Sequence, residues 1–241
     1  MPLDRTPTLI LSDTKSRTKS ARTKRSSARR NVITGRRSGF PHPAPSRVPQ
    51  GALETKSQKF ANTEYDLLAG GVATHINSIT QGTGNANRIG YKIRNTAVHL
   101  KGQFSCAQGG PRSAVAGYYL VWDKSPNLAL AATSDVFNIN AGAGYDMSNT
   151  FPIDNDRFVV LKSVRRTLTN SNAGRNVVLV DDFIKLPATC TTGFVKGNTT
   201  GGIANTQTGA LLLMPYRSVT ETAGDDKVAL NVTMELFFAE A

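Results

Sequence analysis

The sequence predicts an all-β protein: a single antiparallel jelly-roll sandwich preceded by a disordered, basic N-terminal arm. Three observations carry this prediction. Charge is segregated, because residues 1–60 hold 14 Lys or Arg against 3 Asp or Glu, a net +11, while the remaining chain holds 15 against 14, a net +1. Beyond residue 60, short β-type runs recur, each bounded by Gly, Asn, Asp or Pro. Finally, no strand–helix alternation is present, which argues against a parallel α/β sheet.

The arm, residues 1–60, comes first. Between Asp13 and Arg37 it has almost no aliphatic content, and Lys15, Arg17, Lys19, Arg22, Lys24, Arg25, Arg29, Arg30, Arg36 and Arg37 alternate with Ser, Thr and Ala. Such a stretch cannot bury enough apolar area to offset its ordering entropy, so disorder is expected. Pro41, Pro43, Pro45 and Pro49 then form a stiff linker. Fully extended, the arm would reach roughly 200 Å. A polybasic tail on a nearly neutral body neutralises a polyanion without reading its sequence, because Lys and Arg displace condensed counterions from phosphates. The ten cations from Lys15 to Arg37 are the expected nucleic-acid-binding residues. Lys24, Arg25, Arg29 and Arg30 also form a nuclear-import-like cluster.

The second domain, residues 61–241, is predicted to hold strands at Val72–Thr80, Gly90–Cys106 (bent or split near Asn95), Ala116–Trp122, Arg157–Thr169, Asn176–Ile184, Gly209–Tyr216 and Lys227–Phe238. Val228, Leu230, Val232, Met234 and Leu236 alternate with polar or small residues, the period of a strand with one buried face. One short helical turn is expected at Thr133–Ile139, capped by Thr133 or Ser134 with Asp135 in its first turn. Seven or eight strands with long Gly-rich connections fit a sandwich or jelly roll.

Enzyme motifs fail. Gly82-Thr83-Gly84 opens like a dinucleotide fingerprint, but Asn87 stands in the third glycine's place, and Met147 does so after Gly142 and Gly144. No phosphate loop or GxSxG elbow occurs. The three histidines, His42, His75 and His99, stand alone in the sequence and are expected to be structural. Asp154 and Asp156, Asp181 and Asp182, and Asp225 and Asp226 form acidic pairs read as turn formers, with ion binding between subunits as the alternative. Cys106 and Cys190 form no CxxC motif and are expected to be buried small hydrophobes. No cofactor and no catalytic residue is expected. No apolar run spans a bilayer, and Leu9-Ile10-Leu11 is too short for a secretory signal, so neither membrane association nor use of the two N-x-T sequons is expected. Lys162, Arg165 and Arg166 form a second basic set in one predicted strand, with Arg165 and Arg166 on opposite faces. Lys162 and Arg165 are candidates for nucleic-acid contact. Tyr118, Tyr119, Trp122, Phe237 and Phe238 could stack on bases but are better read as core.

Several segments of the body resemble geminivirus-like coat proteins. Residues 81–93, QGTGNANRIGYKI, are similar to the Gly-rich turn that leads into that family's first long strand. Tyr119–Pro126, YLVWDKSP, resembles an apolar strand ending in Asp and a Pro-containing turn. Asp156–Lys162, DRFVVLK, resembles the family's D-R-F/Y strand. Gly209–Met214 and Leu236-Phe237-Phe238 are similar to its last two strands. The matches run in order from about residue 72 to the C-terminus, and the same series resembles jelly-roll coat proteins of satellite RNA viruses. The chain departs from plant geminivirus proteins in lacking an aromatic-rich, Cys/His-containing N-terminal half. The resemblance implies a virion protein that self-assembles into an icosahedral or geminate shell. It also implies binding of viral single-stranded DNA, in preference to RNA, by the arm, and entry to a host nucleus with import receptors as partners. A cellular nucleic-acid- or carbohydrate-binding β-sandwich with a basic tail is the rival reading. It would remain monomeric or dimeric, whereas a coat protein assembles.

Overall fold

The computed structural model describes residues 54–68, 70–106, 113–137, 153, 156–169, 176–218 and 228–241. All of them lie in the compact unit Pro49–Ala241. The described residues form ten strands: β1 Thr55–Asp66, β2 Thr74–His75, β3 Lys92–Cys106, β4 Ser113–Asp123, β5 Phe158–Thr169, β6 Asn176–Lys185, β7 Thr191–Phe194, β8 Thr206–Thr208, β9 Ala210–Arg217 and β10 Val228–Glu240.

They form two antiparallel sheets. One has the order β1-β10-β3, continuing to β7 and β8 from one half of β3 and to β6 from the other. The second has the order β2-β9-β4-β5. With the short β7 and β8 set aside, the orders are 1-10-3-6 and 2-9-4-5. Each sheet thus interleaves strands from both halves of the chain, which is the double Greek key of a jelly roll.

Between the sheets lies the main core. β10 contributes Val228, Leu230, Val232, Met234, Leu236 and Phe238, all buried, so the alternation read from the sequence faces inward as expected. β3 adds Ile93, Val98, Leu100 and Phe104, and β4 adds Ala116, Tyr118, Leu120 and Trp122. β9 is buried along its whole length, because a second cluster of Val136, Phe137 and Phe158 covers the outer side of Leu212, Met214 and Tyr216. A strand buried on both faces reads as a continuous apolar run.

β3 bends where the sequence suggested. Phe237 pairs with Ala97 and Phe238 with Asn95, so Thr96 is bulged. Before the bulge β3 pairs with β7, after it with β6. A buried amide–hydroxyl network holds this junction. The Thr192 hydroxyl accepts from Asn77 Nδ2 at 2.7 Å and Asn95 Nδ2 at 2.8 Å and donates to the Gly209 carbonyl at 2.8 Å. Gly209 has φ +71, and a Cβ there would collide with the Trp122 ring. Only glycine meets both conditions.

Four expectations are corrected. β1 starts at Thr55, inside the segment assigned to the arm. Its inward residues Phe60 and Tyr65 are five apart, since a bulge between Phe60 and Thr63 breaks the period-2 pattern that would have revealed the strand. Val72–Thr80 shrinks to the two residues of β2, and β7 and β8 are additional. The helical turn α1 is only Thr133–Val136, and its N-cap is Ala132, whose N–H donates to the Asp135 carboxylate at 2.9 Å. Asp181 and Asp182 lie within β6, not in a turn.

Candidate nucleic-acid interface

The ten arm cations from Lys15 to Arg37 lie outside the described residues, as do His42, Asp154, Asp225 and Asp226. The chain enters the sandwich at Thr55, beside Ala239 of β10.

Lys162, Arg165 and Arg166 are exposed on β5, the outermost strand of the four-stranded sheet. Register assigns their faces. Lys162 pairs with Leu120 and Arg166 with Ala116, both core-side positions, so these two cations project along the rim of the sandwich on the side of Val164. Arg165 pairs with Gly117 and projects from the opposite face. The structure therefore separates Lys162 from Arg165 and groups Lys162 with Arg166, a residue left out of the expected set. Four residues apart, with Val164 between them on the same face, the two cations are separated by about 13 Å along the strand.

Tyr118 lies next to this rim. Its hydroxyl donates to Asp182 Oδ2 at 2.7 Å, and burial followed by that hydrogen bond pushes its pKa well up. Tyr119, Trp122 and Phe238 are also buried, so four of the five aromatics considered for base stacking are core residues. Phe237 is half-buried on the outer face of the six-stranded sheet, beside Phe183, with ring centroids 5.8 Å apart.

The histidines differ from each other. His75 is largely buried on β2, and desolvation lowers its pKa to about 4. His99 is not alone: its Nε2 lies 2.6 Å from Asp181 Oδ1 across β3 and β6. That contact holds the Asp181 carboxyl below its ordinary pKa. Cys106 and Cys190 are both buried, and burial pushes the Cys190 thiol up to about 11. Among the described residues no group of three or more His, Cys, Asp or Glu could hold a metal ion. No helix among them is long and apolar enough to cross a membrane.

A loop anchor was not visible in the sequence. Arg88 is completely buried, donating to the carbonyls of Ile79 at 3.1 Å, Gly90 at 2.6 Å and Asn198 at 2.9 Å, with its guanidinium 4.2 Å from the Phe194 ring centroid. Glu240 accepts from the backbone N–H groups of Ile89 at 2.8 Å and Gly90 at 3.2 Å. Lys56, assigned to the arm, is buried and bridges Glu240 to the Asn87 carbonyl. These groups come from segments up to 184 residues apart, so only the fold assembles them. Together they fix the Gly-rich turn, with Ile89 and Tyr91 exposed on it.

The family described as geminivirus coat protein/nuclear export factor BR1 matches residues 5–228. No curated protein matches the chain. Among solved structures, one from Desmodium yellow mottle tymovirus is 11% identical with a TM-score of 0.28, over 90% of this chain and 96% of that one. VP1 of Trichodysplasia spinulosa-associated polyomavirus is 12% identical with a TM-score of 0.10, over 77% of each chain.

Proposed function

From the premise that this chain belongs to the geminivirus coat protein/nuclear export factor BR1 family, we propose that it is a coat protein that packages a single-stranded genome, DNA in preference to RNA, through its basic N-terminal arm. The observation that carries this reading is charge segregation: a net +11 in residues 1–60 against +1 in the rest. A nearly neutral jelly roll can tile a shell through contacts between copies, while the arm neutralises phosphates. Such contacts position a genome and do not read its bases.

Lys15, Arg17, Lys19, Arg22, Lys24, Arg25, Arg29, Arg30, Arg36 and Arg37 carry the binding. Lys162 and Arg165 add at most a minor contribution, since they project from opposite faces of β5. Lys24, Arg25, Arg29 and Arg30 serve as the import signal that brings the protein to a host nucleus, with import receptors as partners.

The test is electron microscopy of the full chain with and without single-stranded DNA, beside a variant lacking residues 1–40. The full chain forms uniform closed particles, and the truncated chain folds but loses salt-sensitive DNA binding. Persistent salt-sensitive binding by the truncated chain would refute the arm's role. Small soluble species under all conditions would point to the nuclear export branch of the family.

A further inference from the structure

The outer face of the six-stranded sheet carries an apolar row on β6. Val177, Leu179 and Phe183 are 44%, 75% and 56% exposed, and with Asp181 they occupy the outward positions of that strand. β6 pairs with β3 on one side, and no partner strand lies on its other side among the described residues. Exposed apolar residues in a row on an edge strand mark an interaction surface, since solvated edges are ordinarily short or charged.

The registers across β1, β10, β3 and β6 arrange this face in rows. Lys59, Glu235, His99 and Phe183 form one row; Thr233, Lys101 and Asp181 the next; Glu64, Asn231, Gln103 and Leu179 the third. Lys59 and Lys185 thus lie toward one end of the face, Glu64 and Asp66 toward the other. A depression of about 420 Å³ lies in the second and third rows, lined by Asn62, Lys101, Gln103, Leu179, Asn231 and Thr233.

We propose that this face is an isologous contact between two copies of the chain, a proposal that rests on the coat-protein reading and names one of its interfaces. A two-fold axis along the Thr233–Lys101–Asp181 row exchanges the rows on either side. It places Lys59 of one copy opposite Glu64 of the other. It also sets Phe183 over the partner's Leu179, at the lip of the depression. Off the axis the charge gradient becomes complementary, while on it Lys101 and Asp181 each face their own counterpart and are balanced by lying side by side, Lys101 of one copy next to Asp181 of the other. A nucleic acid is the poorer occupant, because Glu64, Asp66, Asp181 and Glu235 offset Lys59, Lys101 and Lys185 on the same face.

The experiment measures self-association of the full chain by sedimentation velocity over a concentration series, with particle formation scored by electron microscopy. Leu179→Lys and Phe183→Lys are compared with Ile89→Lys, a control that is 60% exposed on the Gly-rich turn. Circular dichroism establishes that each variant is folded. Both β6 variants weaken self-association by about tenfold or more, while the control matches the wild type. Lys59→Glu weakens it as well, and adding Glu64→Lys restores it. β6 variants that associate like the control overturn the interface, as does a Lys59→Glu defect that Glu64→Lys fails to restore. A wild-type chain that dimerises through this face yet forms no particles would count against the coat-protein reading and leave the interface standing. A chain that forms particles regardless of the β6 variants would do the reverse.

Discussion

Arg157 grips Asp123 at two points, with Nε 3.0 Å from Oδ1 and a terminal nitrogen 2.9 Å from Oδ2. Asp123 ends β4 and is buried; Arg157 immediately precedes β5 and lies over the Phe158 ring. Asp123 also accepts from the Ser125 N–H at 3.0 Å, which shapes the turn that leaves β4. Two of the segments that resemble coat proteins, YLVWDKSP and DRFVVLK, are therefore joined to each other by their charged residues.

Loss of this pair is expected to be costly, because a buried carboxylate would be left with its guanidinium removed. Arg157→Ala should lower stability by about 3 kcal/mol, and Asp123→Asn by less, since the amide remains neutral. Urea unfolding of unassembled subunits measures both. Equal, negligible changes would mean that the pair is replaceable by solvent.

His75 supplies a pH dependence. Its folded pKa is about 4, lowered by desolvation from an ordinary 6.5. Between those values the unfolded chain binds the proton and the folded chain does not, so stability falls as pH drops from 6.5 toward 4. The loss approaches roughly 3 kcal/mol at the lower end. His75→Leu should flatten the stability curve across that window, as thermal melts at successive pH values would show.

Gly117 lies where β4 is flanked by β5 and β9. A Cβ there would collide with the Val164 carbonyl and the Tyr216 ring. Gly117→Ala is predicted to cost about 1–3 kcal/mol through forced repacking. An unchanged denaturation midpoint would show that the two neighbouring strands can yield.

The arm predicts a salt slope. On single strands each phosphate contact contributes about −0.7 to the slope of log K against log salt. Replacing Lys24, Arg25, Arg29 and Arg30 with Ala should make the slope shallower by about 3. Replacing Lys162 and Arg165 should change it by about 1 at most. Fluorescence anisotropy of labelled single-stranded DNA across a salt series gives both values. The four-residue variant should also lose nuclear accumulation of a fluorescent fusion.

The sequence by itself determined what depends on neighbours along the chain. Alternation in Val228–Leu236 marked a strand and its buried face, because a pleated strand sends successive side chains to opposite sides. The bend in β3 was legible at Asn95, and the surplus of Lys and Arg before residue 60 needed only composition. Tertiary structure decided what depends on partners far away. β1 was hidden because its bulge put Phe60 and Tyr65 out of phase. Lys56 looked like another arm cation until Glu240, 184 residues away, gave it a buried partner. His99 looked solitary until β6 brought Asp181 beside it. Lys162 and Arg166 share a face by alternation alone, yet only register with β4 showed that this face is the core side. Local pattern specifies which way a side chain points; only the pairing of strands specifies what it meets.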